Sequence, residues 1–210
     1  ITFDELFLED DNLDPVIYYY NEETGELEEV YTEWDGTSNY VTAKLEHFSK
    51  YILLNRVDFN EIFERDFELP EGTDVRPYEF VFIIDSSGSM KNNDPTNIRL
   101  EVAKSFVDKM GDDDKAQVMA FDKENYFYTS EFISDKTELK NAIDKIPNNG
   151  SYTYIGAAVS AGLELFSADY DGTRRYIILL TDGISHDTLP TNYEEIAETK
   201  QVQIITIGLG

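Results

Sequence analysis

Residues 80–90 read FVFIIDSSGSM. The run Phe80–Ile84 shows no polar alternation, so it predicts a strand buried on both faces, at the centre of a parallel or mixed sheet. The run ends abruptly in Asp85, and Ser86, Ser87, Gly88 and Ser89 form a tight polar loop before Met90. In open α/β sheets ligands bind outside the carboxyl ends of strands. Asp85, Ser87 and Ser89 offer one carboxylate and two hydroxyls there, an all-oxygen set of the kind hard divalent cations take.

Downstream, strands and helices alternate. Pro95 precedes a helix from about residue 97 to 110, with Ala103, Phe106, Val107 and Met110 on its apolar face. Residues 117–121 are a second strand and 125–132 an edge strand. A helix capped by Ser134 or Asp135 comes next, with Leu139, Ile143 and Ile146 on one side. Residues 153–168 form the next helix, where Ala157, Ala158, Ala161 and Gly162 allow close approach to the sheet. Tyr176–Leu180 is another fully apolar strand, closed by Thr181, Asp182 and Gly183. A short helix over 192–200 and a strand over 202–207 complete the series. This alternation predicts an α/β fold with a Rossmann-like, parallel-dominated sheet and helices on both faces. The two most apolar strands are expected to be central neighbours, which puts Asp85 and Asp182 at one rim.

Upstream, residues 16–20, 26–31, 40–45 and 51–54 read as short strands joined by turns at 21–25 and Asp35-Gly36. They predict a small antiparallel β unit over residues 1–57, either the end of a larger β domain or a unit packed on the α/β domain. Such a unit has little core of its own. Residues 58–79 read as an acidic connector, broken by Pro70 and Gly72. Residues 4–14 are acidic and partly apolar, with no assigned role.

Net charge is −26, from 17 basic and 43 acidic residues, and most of the excess lies in residues 1–79. That argues against nucleic acid or anionic lipid as partner. No apolar run of 18 or more residues predicts a membrane span. The absence of cysteine excludes a disulfide framework and is neutral on compartment. The chain opens on Ile1 without a leader-like segment, which reads as a fragment or a processed product.

Residues 80–210 resemble a von Willebrand factor type A domain, the integrin I-domain fold. Such domains carry a metal-ion-dependent adhesion site built from a D-x-S-x-S loop, a distant Thr and a distant Asp. Here these fall on Asp85, Ser87 and Ser89 in DSSGSM, Thr153 in NGSYTYIG and Asp182 in LLTDG. The resemblance implies that the five hold a divalent cation, usually Mg2+ with Mn2+ or Ca2+ able to replace it. It also implies that an Asp or Glu of a protein partner completes the coordination. One departure stands beside Thr153: the family commonly has Gly-Gly where this chain has Ser151-Tyr152. The resemblance further implies one more strand and a helix after ITIGLG. Their place would be taken by a neighbouring chain, by the N-terminal unit, or by sequence beyond Gly210. The segment VTAKLEHFSKYILLN is similar to closing strands of β-rich modules in bacterial surface proteins, which points to an extracellular or cell-surface location.

Three functions are open to such a chain. The leading one is a metal-dependent protein-binding module of adhesion type. The alternative is a subunit or scaffold of a chelatase-type motor assembly inside cells, although no Gly-rich phosphate loop is present. Hydrolysis by a metal-activated water is the third, and no general base or histidine-driven nucleophile supports it. Plainer readings apply to other residues. Asp122, Asn92 and Asp94 read as turn residues, His186 as a surface histidine, and His47 as structural. Tyr126, Tyr128, Tyr152 and Tyr154 read as rim packing, unless clustered beside the ion as a recognition surface.

Overall fold

The computed structural model describes residues 13–21, 23–45, 51–63, 77–169, 171–182 and 185–209. The opening apolar run forms β6 (Tyr78–Asp85), flanked in parallel by β7 (Lys115–Phe121) and β9 (Arg174–Thr181). Phe80 to Ile84 are all fully buried, because a strand with neighbours on both sides and helices on both faces has no wet side. The strand's pleat divides its side chains. Phe80, Phe82 and Ile84 join a core with residues of α3 (Ile98–Lys109) and α4 (Lys136–Ile143). Val81 and Ile83 join a second core with residues of α5 (Ile155–Leu165) and α6 (Tyr193–Lys200). A Cβ on Gly162 of α5 would lie 2.6 Å from Ile83 Cδ1, so the small residue sets how closely this helix approaches the sheet. Asp135 caps α4, its carboxylate accepting from the Thr137 and Glu138 amides.

Four strands run parallel, in the order β10 (Val202–Leu209), β9, β6, β7. The edge strand β8 (Asn125–Phe127) pairs antiparallel with β7 and is shorter than its sequence suggests.

The N-terminal strands extend this sheet. β1 (Pro15–Asn21) and β2 (Glu26–Val30) form a hairpin whose turn uses Gly25 at φ 74°. β5 (Tyr51–Asn55) pairs antiparallel with β1 on one side and with β10 on the other, through Gly208 opposite Leu53 and Leu209 opposite Ile52. The full order is β2-β1-β5-β10-β9-β6-β7-β8. The strands on either side of residues 58–79 therefore belong to one sheet. They also share a core: Val16, Tyr18, Tyr20, Ile52 and Leu54 lie in the same cluster as Phe80 and Phe106. α1 (Arg56–Phe63) runs from the end of β5 into the expected connector, and its Phe59 ring sits between Tyr18 (5.2 Å) and Phe106 (5.9 Å). The strand expected over 40–45 reduces to β4 (Thr42–Ala43), paired with β3 (Thr32–Glu33) as a separate ribbon. Val41 is buried there against Ile17 and Leu53, whereas Tyr40 is half exposed. Residues 4–12, His47 and most of the acidic connector lie outside the described residues.

Candidate metal centre

β6 and β9 are adjacent, with Ile84 opposite Leu180, so Asp85 and the Thr181-Asp182 pair leave the sheet at the same rim. Asp85 is fully buried. One carboxylate oxygen, Oδ1, accepts from the Ser87 amide at 2.8 Å, which curls the loop back over the strand end. The other, Oδ2, accepts from the Thr181 hydroxyl at 2.7 Å. The Ser87 and Ser89 hydroxyls lie 2.9 Å apart, and Ser89 Oγ donates to Asp182 Oδ1 at 3.1 Å. Asn93, on the short helix α2 (Met90–Asn93), donates to Asp182 Oδ2 at 2.9 Å. Four of the five expected residues thus form one hydrogen-bonded cluster, closed through Thr181.

Thr153 arrives from a second loop and is itself buried. Its amide donates to His186 Nδ1 at 3.2 Å and its carbonyl accepts from the His186 amide at 2.7 Å. Among the described residues its hydroxyl makes no hydrogen bond to the other four. The two loops are tied by the Gly150 amide, which donates to the Ser86 carbonyl at 2.9 Å. A Cβ on Gly150 would sit 2.6 Å from Asp122 Cβ and 2.7 Å from the Ser86 oxygen, and one on Gly88 would sit 2.9 Å from the Gly150 oxygen. Only glycines allow the loops this close. Gly150→Ala is expected to push them apart at a cost of about 1–3 kcal/mol, read as a lowered midpoint in thermal unfolding.

The electrostatics favour a cation. Burial pushes the Asp85 carboxyl above its ordinary value, against the Thr181 and Ser87 donors that hold it down, and the nearby Asp182 charge adds to the rise. Two carboxylates and two or three hydroxyls supply the hard oxygen donors that Mg2+ or Ca2+ takes, and positive charge between them offsets the repulsion. The residues present therefore fit such an ion. Among the described residues no three His, Cys, Asp or Glu side chains converge to form a softer or more acidic site.

Several contributors carry no obvious sequence signal. Thr181 looks like part of a turn but anchors Asp85. Asp94, expected at the surface, is buried and bonds the Ile98 and Arg99 amides at the start of α3. Its partner Arg99 is fully buried as well. Asn92 is exposed as expected. Asp122 is buried and organises the second loop: Oδ1 accepts from the Glu124 amide and the Tyr126 hydroxyl, and Oδ2 from the Ser151 amide. Burial pushes the Asp122 carboxyl up, and these donors outweigh it, leaving it below its ordinary value. His186 is exposed yet fixed by Thr153, and its ring meets Tyr152 edge-on at 5.4 Å, with Tyr154 at 6.1 Å from Tyr152. Tyr152 itself is 54% exposed.

Comparison with known proteins agrees with this architecture. The family model for the von Willebrand factor type A domain matches residues 79–210. Matrilin-3 of Gallus gallus is 28% identical over 148 residues, covering 64% of this chain and 32% of its own length. The structure of proximal thread matrix protein 1 from the mussel byssus, with a zinc-occupied MIDAS motif, aligns at a TM-score of 0.54 and 28% identity, covering 62% of this chain and 35% of that one. BatB from Bacteroides thetaiotaomicron aligns at a TM-score of 0.54 and 23% identity, over 61% of this chain and 65% of that one, and shares the fold. The chain spans about a third of the length of Matrilin-3. The family match covers the α/β part of the chain, residues 79–210, well over half its length, and the chain belongs to the von Willebrand factor type A domain proteins.

Proposed function

We propose that this chain is a metal-dependent protein-binding module of adhesion type, working at the cell surface or outside the cell, and not an enzyme. Asp85, Ser87, Ser89, Thr153 and Asp182 hold a divalent cation, with Mg2+ the expected ion and Mn2+ or Ca2+ able to replace it. When bound, the ion supplies positive charge and a coordination position for an Asp or Glu of a partner protein. The observation that carries this reading is the convergence of Asp85, Ser87, Ser89 and Asp182 in one hydrogen-bonded cluster at the carboxyl rim of two central strands. A solved relative supports it: a thread matrix protein from the mussel byssus, 28% identical, holds zinc in its MIDAS motif.

The protein's own residues do the rest. Asp85 and Asp182 provide the negative charge, and Thr181, Ser87 and Asn93 orient their carboxylates. A net charge of −26 disfavours acidic partners in general, and a held cation reverses that locally. Beside Thr153, Tyr152 and His186 offer an exposed aromatic ledge for a partner's side chains.

Thermal unfolding tests the reading. A ligand of the folded state at 100 times its Kd stabilises by about 2.7 kcal/mol, roughly a 5–10 °C rise for a chain of this size. Millimolar magnesium is expected to raise the unfolding temperature, and EDTA to reverse the rise. An unfolding temperature indifferent to magnesium, manganese and calcium would refute the proposal.

A further inference from the structure

Arg99 is the largest fully buried side chain among the described residues. A guanidinium out of water is costly unless its charge is paired and its donors are satisfied. Its Nε donates to the Asp85 carbonyl at 2.8 Å. Its Nη1 donates to Asp94 Oδ2 at 2.7 Å and to Asn97 Oδ1 at 3.0 Å. Its Nη2 donates to the Pro147 carbonyl at 3.0 Å. One rigid fork therefore touches three segments: the end of β6, the turn that closes the DSSGS loop, and the start of the loop that leads to Thr153. The turn is built around it. Asn97 holds a left-handed φ of 56°, which Asn tolerates better than most residues, and its side chain also accepts from Asn148 at 3.4 Å.

We propose that Arg99 is a positioning residue for the cation site. It holds the Asp85 and Pro147 carbonyls at a fixed separation, so that the DSSGS loop and the Thr153 loop already face each other before an ion arrives. This rests on the cation-site reading of the same rim. Charge pairing with Asp94 does not by itself require a fork. The fork reaches the Asp85 and Pro147 carbonyls and the Asp94 carboxylate from three separate nitrogens of one rigid plane, a geometry that the single flexible ammonium of a lysine does not reproduce.

The test compares Arg99→Lys, the double variant Asp94→Asn/Arg99→Met, and Val107→Ala. The double variant removes both charges, so no unpaired buried ion remains to block folding. Val107, fully buried on the same helix, serves as a control for general loss of stability. Two quantities are read: hydrogen exchange of the Gly150 amide in cation-free protein, and magnesium affinity by calorimetry. In Arg99→Lys and in the double variant, Gly150 is expected to exchange faster and magnesium affinity to fall about 10–100-fold, as for lost outer-shell partners. Val107→Ala is expected to lower the unfolding temperature and leave both readouts at wild-type values. Folded Arg99 variants with wild-type Gly150 protection and wild-type magnesium affinity would overturn the positioning role and leave the cation site standing. Absence of magnesium binding by the wild-type chain would overturn the cation reading itself, and Arg99's role with it.

Discussion

Asp182→Ala is expected to lower magnesium affinity more than 100-fold while the fold survives. Loss of an outer-shell partner of a metal site already costs about 10–100-fold, and Asp182 is proposed to contribute one of only two carboxylates. Its removal leaves Asp85 as the sole negative group facing the ion. Structurally the change is mild, because Asp182 is only partly buried. It deprives the Ser89 hydroxyl and the Asn93 amide of an acceptor, at about 1 kcal/mol each, and both groups can turn toward water. Asp182→Asn keeps an oxygen and loses the charge, so its affinity is expected to fall between wild type and Asp182→Ala. Calorimetry with magnesium measures the affinity, and circular dichroism confirms the fold. An Asp182→Ala protein that binds as tightly as wild type would remove Asp182 from the site.

Ile52→Ala is the second large effect, and it concerns the N-terminal strands. Ile52 is fully buried on β5, between β1 and β10, in the core that contains Phe80 and Phe106. Truncating a buried Ile to Ala costs about 2–5 kcal/mol through lost transfer energy and the cavity left behind. For a chain of this length that is a drop of roughly 4–20 °C. Because β5 shares the sheet with the strands that carry the site, the whole chain is expected to unfold in one transition at the lower temperature. A separate early transition, with the 78–209 part melting at its wild-type temperature, would show that β1, β2 and β5 form an independent unit.

The central sheet was legible because its two inner strands are unusually pure. Phe80–Ile84 and Tyr176–Leu180 have no polar residue, and both end in a sharp polar turn. That pattern predicts them as central neighbours, and the structure pairs them with Ile84 opposite Leu180. Once they are adjacent, Asp85 and Asp182 meet. The helices α3, α5 and α6 were legible to within a residue or three, α3 and α5 from their apolar spacing, whereas the short α2 carried no such signal. The attachment of the N-terminal strands was not. Among the described residues β5 pairs with β10 through two opposed residue pairs, and short antiparallel strands show the same alternation whether they end a separate domain or extend a neighbour's sheet. Arg99 and Asp94 escaped for a different reason. A charged residue in a polar turn, like Asp94, or in the first turn of an amphipathic helix, like Arg99, looks solvated, and only the folded loops show that both are enclosed. Thr181 was hidden in the same way, because its hydroxyl acts on a carboxylate 96 residues away. His186 was placed at the surface correctly, but its hold on Thr153 depends on a loop closure that sequence spacing does not encode.

Calorimetric titration of the metal-stripped chain with magnesium, beside the Asp85→Ala variant, tests the account most directly. The expected result is saturable binding of a single ion per chain, abolished in Asp85→Ala while that variant remains folded. Asp85 is the group to remove because it is the buried carboxylate that the Ser87 amide and the Thr181 hydroxyl both hold in place. Titration without saturable binding in the wild type, or binding that persists unchanged in Asp85→Ala, would contradict the assignment of this rim as a cation site.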